Sequence, residues 1–233
     1  MERESIRVAA SLDAVTDDPG LVIFDCDGVL VDSERITVEI ERQILAEFGL
    51  EFTTAEVVAR FMGRSEGIVE ATIEQSIGRV LTPDEREQMA ERYAASYERD
   101  LVPVDGIVDA LDAIRAPICV ASSSKPEGLR WKLELCGLLE RFDGAIFSAV
   151  QVAHGKPAPD LFLLAAATMG FEPSRCVVVE DSPYGLQAAR AAGMRAFAHV
   201  TGMVPEEVLT GPGTVLFSDM RELPALIGAA VLD

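Results

Sequence analysis

The stretch "LVIFDCDGVLVDSE", Leu21 to Glu34, decides how the rest of the chain is read. Its first four residues form a short apolar run without period-two alternation, the pattern of a parallel strand buried on both faces. Asp25, Asp27, Asp32, Ser33 and Glu34 then crowd into the residues that follow. Carboxylates this close repel one another, and each resists ionising beside its neighbour. A bound divalent cation would make such crowding tolerable, provided the rest of the chain supplies the other half of its site.

Working outward, similar runs recur at 117–121, 144–147, 176–180, 194–200 and 214–217. Amphipathic stretches near 105–115, 125–136, 160–169, 183–192 and 219–230 read as helices between them. Ser124 and Glu127 have capping-box spacing, Pro183 suits a first helical turn, and Gly193 suits a C-terminal cap. Strands alternating with helices predict a doubly wound, mostly parallel α/β fold. One segment breaks the rhythm. From Glu34 to about Pro103 there are only helical patterns, with Thr53/Glu56 and Thr82/Glu85 opening helices as capping boxes. A parallel-sheet crossover normally needs only one helix. Residues 34–103 are therefore expected to be an inserted, all-helical cap, with 1–33 and 104–233 forming the α/β core.

The chain has 233 residues, half of them apolar, and a net charge of -19. That charge argues against nucleic acid or an anionic membrane as partner, since both need basic surface. No apolar run reaches the length of a membrane span. The first twenty residues are polar and acidic, unlike a signal peptide, and read as a loose leader or an irregular edge of the fold. Cys26, Cys119, Cys136 and Cys176 include no CxxC pair, which suits reduced thiols in the cytoplasm. Cys26 lies between two aspartates that should raise its pKa, so it is not read as a nucleophile. Only Lys125, Lys132 and Lys156 among the 20 Lys and Arg residues are lysines. Where arginine is the default, a lysine suggests a place that needs a compact ammonium. Lys125 and Lys156 lie in the loops "SSSKPE" and "HGKPAPD".

In an open α/β sheet, ligands bind beyond the carboxyl ends of the strands. After the first strand come Asp25, Cys26, Asp27 and Gly28; after the second, Ser122, Ser123 and Ser124. Lys156 follows the third, and Glu180, Asp181 and Ser182 end the fourth. Each group alone has an ordinary explanation as a turn former, surface lysine or helix cap. Their recurrence at matching places makes one site the better reading.

In this order and spacing, "DCDGVLVDSE", "VASSSKP", "HGKPAPD" and "VVVEDSPYGLQAARAAGM" resemble the four signature motifs of the haloacid dehalogenase-like hydrolase superfamily. The similarity is to its helical-cap branch of phosphoglycolate phosphatases, β-phosphoglucomutases and sugar-phosphate phosphatases, and covers residues 21 to about 200. It implies a Rossmann-like core and phosphate-ester chemistry through an aspartyl-phosphate. Carboxylate oxygens without a His/Cys cluster suit Mg²⁺ better than zinc.

On that resemblance Asp25 is the expected nucleophile and Asp27 the acid and base. The metal would be held by Asp25, the backbone carbonyl of Asp27, Asp181 and, directly or through water, Glu180. Ser122, Ser123 and Lys156 would hold the phosphoryl group. Asp32 and Ser33 are expected to cap the first helix of the insert, and Arg64 and Ser65 to read the polar end of the substrate. The expected partner is a small phosphorylated metabolite, a sugar or sugar-acid phosphate, met by a monomer or weak homodimer. A dehalogenase would not need the acid at Asp27, and a phosphonatase would need a cap lysine, which 34–103 lacks. A phosphosugar mutase remains as the alternative, although Thr37 and Glu66 fall where its pattern has a histidine and a phosphate-gripping arginine, with Arg64 nearby. A catalytically silent phosphometabolite-binding domain is the alternative from another class.

Overall fold

The computed structural model describes residues 19–62 and 67–229. Most of the acidic N-terminal stretch therefore lies outside the described residues, as do Arg64, Ser65 and Glu66. Strand β1 (Leu21–Phe24) is completely buried. Val22 and Phe24 pack into one apolar cluster, while Leu21 and Ile23 pack into another on the opposite face. Both faces need apolar side chains, which is why the run shows no alternation.

The sheet is completed by β2 (Ile118–Ser122), β3 (Ile146–Ser148), β4 (Cys176–Glu180), β5 (Arg195–His199) and β6 (Thr214–Phe217). All pairings are parallel, in the order β3-β2-β1-β4-β5-β6. Helices α5 (Ile107–Ala113), α6 (Pro126–Leu135) and α10 (Leu223–Ala229) contribute to the first cluster. Helices α7 (Asp160–Met169), α8 (Pro183–Ala191) and α9 (Glu206–Leu209) contribute to the second. The fold is thus doubly wound α/β, as the alternation of patterns predicts.

Between β1 and α5 lie α1 (Glu34–Glu47), α2 (Thr54–Phe61), α3 (Ile68–Ile77) and α4 (Pro83–Asp100). They share an apolar cluster of their own, with Val38, Ile44, Val57, Ile73 and Met89 among its buried members. The capping boxes Thr53/Glu56 and Thr82/Glu85 both form, each satisfying two backbone donors that a helix end leaves open. The chain enters and leaves this segment through adjacent strands of backbone. The Asp32 amide donates to the Val102 carbonyl at 2.9 Å, and the Val104 amide to the Leu30 carbonyl at 3.1 Å. Tyr97 of α4 meets Trp131 of α6 edge to face, with ring centroids 6.0 Å apart.

Two expected caps do not form. Ser33 holds the N-cap position of α1 but makes no side-chain cap bond, and Asp32 uses its backbone in the link to Val102. The Ser124/Glu127 box is also absent, because Lys125 takes the N-cap position of α6 without a capping bond. Both serine hydroxyls are drawn to the same partner, Asp27. A charge-assisted bond to a carboxylate is stronger than a neutral bond to a helix amide.

Candidate active site

Strands β1 and β4 are neighbours where the winding of the sheet reverses, and their carboxyl ends flank the resulting crevice. Asp25 prolongs the ladder past β1, its amide donating to the Val179 carbonyl at 2.9 Å. This register puts it beside Glu180 and Asp181. Each of these three buried acids offers an oxygen within 4.8 Å of the others. Lys156 reaches them from the loop before α7, donating to Asp25 Oδ1 at 2.5 Å and to Glu180 Oε1 at 2.8 Å. The second Glu180 oxygen accepts from the amides of Asp181 and Ser182, at 2.8 and 2.7 Å, and from the Ser182 hydroxyl at 2.9 Å. A carboxylate at the amide-rich start of α8 is electrostatically favourable. Gly185 leaves the space for it, since a β-carbon there would overlap the Glu180 carboxylate.

Asp27 belongs to a second group. Lys132 of α6 donates to both of its oxygens, at 2.5 and 2.6 Å. Ser33 adds a bond at 2.5 Å and Ser124 one at 3.2 Å, and Lys132 also reaches the Ser124 hydroxyl at 2.9 Å. Ser122 is buried and accepts from the Ser124 amide at 3.1 Å. A cavity of about 500 Å³ brings together Asp25, Asp27, Ser122, Ser123, Lys156, Glu180 and Asp181. Tyr93, Tyr97 and Met89 of α4 and Trp131 of α6 also line it. Arg64 and Ser65 fall outside the described residues.

Sequence reasoning missed the partner of Asp27. Lys132 is buried on the helix face that carries Leu129 and Leu133. A lysine at an apolar i, i+3 position in a chain with so few lysines was the available signal.

Electrostatics separates the two groups. Burial pushes the Asp25 carboxyl up, helped by Glu180 and Asp27 and opposed by Lys156, to about 7. Burial also lifts Glu34, beside the anions of this cluster, to about 8, and raises Asp181 well above its ordinary value. For Asp27 burial acts upward too, but Lys132 and the hydroxyls of Ser33 and Ser124 outweigh it and hold the carboxyl low. Burial would lower Lys156, yet Asp25 and Glu180 raise it overall. Burial and the Asp27 charge likewise push the Cys26 thiol well up, which leaves it unreactive.

These shifts predict how the metal-free protein responds to pH. Carboxyls raised in the folded state stabilise it below their unfolded values, and that stability is lost as pH climbs through about 7 and 8 for Asp25 and Glu34. In EDTA the melting temperature should therefore fall between roughly pH 5 and pH 8.5. Excess divalent cation should flatten that fall. A metal-free melting temperature that rises across the window would contradict the raised values.

The donor set fits a hard divalent cation. Its members are oxygens, and two buried carboxyl atoms, Asp181 Oδ2 and Glu34 Oε2, have no hydrogen-bond partner. Buried acceptors are rarely left this way.

A family model described as haloacid dehalogenase-like hydrolase matches residues 19–193. The chain belongs to that family and is a hydrolase. Among its relatives is the 6-phosphogluconate phosphatase of Escherichia coli (strain K12), 31% identical over 207 residues that span 88% of this chain and 93% of that one. Fructose-1-phosphate phosphatase YqaB of the same organism is 36% identical over 177 residues, spanning 75% and 93%. A solved HAD family hydrolase from Deinococcus radiodurans R1, with bound phosphate and sodium, has a TM-score of 0.72 and 32% identity, covering 93% of this chain and 98% of that one.

Proposed function

We propose that this protein is a Mg²⁺-dependent phosphatase that hydrolyses a small sugar or sugar-acid phosphate through an aspartyl-phosphate. The observation that carries the reading is the grouping of Asp25, Lys156, Glu180 and Asp181 under one cavity, with Asp27 two residues from Asp25. The names of the two Escherichia coli relatives support the substrate class.

Asp25 attacks phosphorus as the bond to the ester oxygen breaks. Lys156 and the Ser122 and Ser123 loop hold the non-bridging oxygens as charge spreads over them. Lys156 thereby moves from neutralising Asp25 to neutralising the phosphoryl group. Asp181, Glu180, Asp25 and the Asp27 carbonyl would hold Mg²⁺. Bound there, the ion supplies charge neutralisation between two anions and fixes their alignment.

Asp27 rests ionised, the form that deprotonates water for the second step. An incoming phosphate dianion raises its proton affinity. It takes up one proton from solvent as substrate binds and passes it to the departing alkoxide. Ionised again, it takes a proton from the water that attacks the aspartyl-phosphate, and returns that proton to solvent when product leaves. Cleavage returns the Asp25 carboxylate and releases phosphate.

Residues 34–103 act in this reading as a cap over the core of 1–33 and 104–233, closing out water and reading the leaving group, with Arg64 and Ser65 as its polar readers. The partner is a metabolite met in the cytoplasm, by a monomer or weak homodimer. Among the described residues no helix is long and apolar enough to cross a membrane.

The rival is a phosphosugar mutase, whose pattern has a histidine at the Thr37 position. Here Thr37 bonds the Tyr97 hydroxyl at 2.6 Å. His154 is exposed beside Asp160, and His199 bonds the Gly28 carbonyl, so neither histidine lines the cavity. Without a histidine to gate the aspartyl-phosphate, water should win.

The test is phosphate release from a panel of sugar and sugar-acid phosphates, with Mg²⁺ and with EDTA. Expected are release from several members and its loss on chelation. A flat trace from folded, Mg²⁺-loaded protein would favour a binding domain. Glucose 6-phosphate forming faster than free phosphate, from β-glucose 1-phosphate with trace bisphosphate, would favour the mutase.

A further inference from the structure

Glu34 is the first residue of α1, where an acid usually faces water and complements the helix dipole. Here it is only 8% exposed. Its carboxyl group lies within hydrogen-bonding reach of Asp181, and neither Glu34 Oε2 nor Asp181 Oδ2 accepts from an amide, hydroxyl or ammonium group of the described residues. The neighbouring acids are treated differently. Asp25 and Glu180 share Lys156, Glu180 also takes two amides and a hydroxyl, and Asp27 takes Lys132, Ser33 and Ser124. Five carboxyl groups thus meet two ammonium groups, and the shortfall of positive charge falls on the Glu34–Asp181 pair.

Burying two carboxylates against each other is costly, and a cation between them removes the cost. The backbone is shaped to allow the approach. A β-carbon at residue 28 would overlap Asp181 Oδ2 and press on the Glu34 carboxyl carbon, and Gly28 sits at φ +74°. Only glycine suits both conditions.

We propose that Glu34 is an additional carboxylate of the cation site and ties the start of α1 to the bound ion. The inference rests on the divalent-cation reading of the Asp25, Glu180 and Asp181 cluster. Ser33 already bonds Asp27. Adjacent residues at one helix start therefore reach both halves of the site, so loading the cation stiffens the junction between the sheet and the helical segment.

The test measures Mg²⁺ binding to the metal-stripped, full-length protein by calorimetry, with no substrate present. Glu34→Gln keeps the shape and removes the charge; it should weaken the Kd by about 10-fold or more and shrink the Mg²⁺-induced rise in melting temperature. Asp181→Asn is the control for the site itself. Loss of binding in Asp181→Asn with a Kd within about threefold of wild type in Glu34→Gln would leave the site standing and overturn the role of Glu34. Wild-type protein that takes up no Mg²⁺ would overturn both. A measurement on the wild type keeps the test decisive should Glu34→Gln not fold. Hydrogen exchange at residues 35–38 should slow on adding Mg²⁺, and unchanged exchange there would overturn the tie between α1 and the ion.

Discussion

Asp25→Asn should leave a folded protein whose turnover falls at least about a thousandfold, as expected when a nucleophile is removed. The amide keeps the shape of the side chain but cannot form the acyl-phosphate. Folding should survive for a structural reason. Lys156 keeps Glu180 as its anion, at 2.8 Å, so the buried ammonium is not stranded. The substitution also removes a buried carboxyl that its surroundings hold up to about 7, which relieves repulsion within the cluster. The melting temperature in EDTA at pH 8 should therefore match or exceed that of wild type. Residual activity above about one per cent would move the nucleophile elsewhere.

Asp27→Asn should behave differently, because it strands a charge. Lys132 is 6% exposed and its ammonium has no other carboxylate partner among the bonds described. Breaking a buried pair by removing one member typically costs about 3–5 kcal/mol. The single variant should thus melt well below wild type, and the double variant Asp27→Asn/Lys132→Met should recover much of the loss without recovering turnover. Recovery separates the structural cost from the catalytic one.

The catalytic part shows in single-turnover phosphorylation of Asp25. With a sugar phosphate the rate should drop about 10²–10⁴-fold, the usual contribution of a positioned acid. With p-nitrophenyl phosphate, whose leaving group needs no proton, it should drop far less. Equal losses for both substrates would assign the proton to another group.

Much of the fold was legible because its local and global signals agree. Leu21–Phe24, Cys176–Glu180 and Thr214–Phe217 match their apolar runs residue for residue. Burial on both faces leaves little room for polar residues inside a central parallel strand. The α/β architecture and the existence of a helical segment followed from the order of such runs. The groups at the strand ends were legible for a related reason. A parallel sheet brings all its carboxyl ends to one edge, so Asp25, Ser122 and Glu180 had to be near one another.

What failed were inferences from short-range spacing at polar residues. Ser33 and Ser124 sit where capping serines sit, and a local rule assigns them to helix amides. In the folded chain a carboxylate 97 residues away in sequence outcompetes the local amide for Ser124. Lys132 could be flagged by its apolar i, i+3 setting but not paired, since "LRWKLEL" does not tell a buried lysine from one whose stem lies over apolar neighbours.

The sequence alone thus determined the order of strands and helices along the chain, the location of the site at the strand ends and the family resemblance, because these depend on burial periodicity and on groups adjacent along the chain. Only the tertiary structure decided which cation meets which carboxylate. Lys156 goes to Asp25 and Glu180, Lys132 goes to Asp27, and among the described residues no amide, hydroxyl or ammonium group reaches Glu34 Oε2 or Asp181 Oδ2. Pairing of buried charges is set by distances of a few ångströms between elements remote in sequence, where a shift of one helical turn changes the partner and the sequence pattern stays the same.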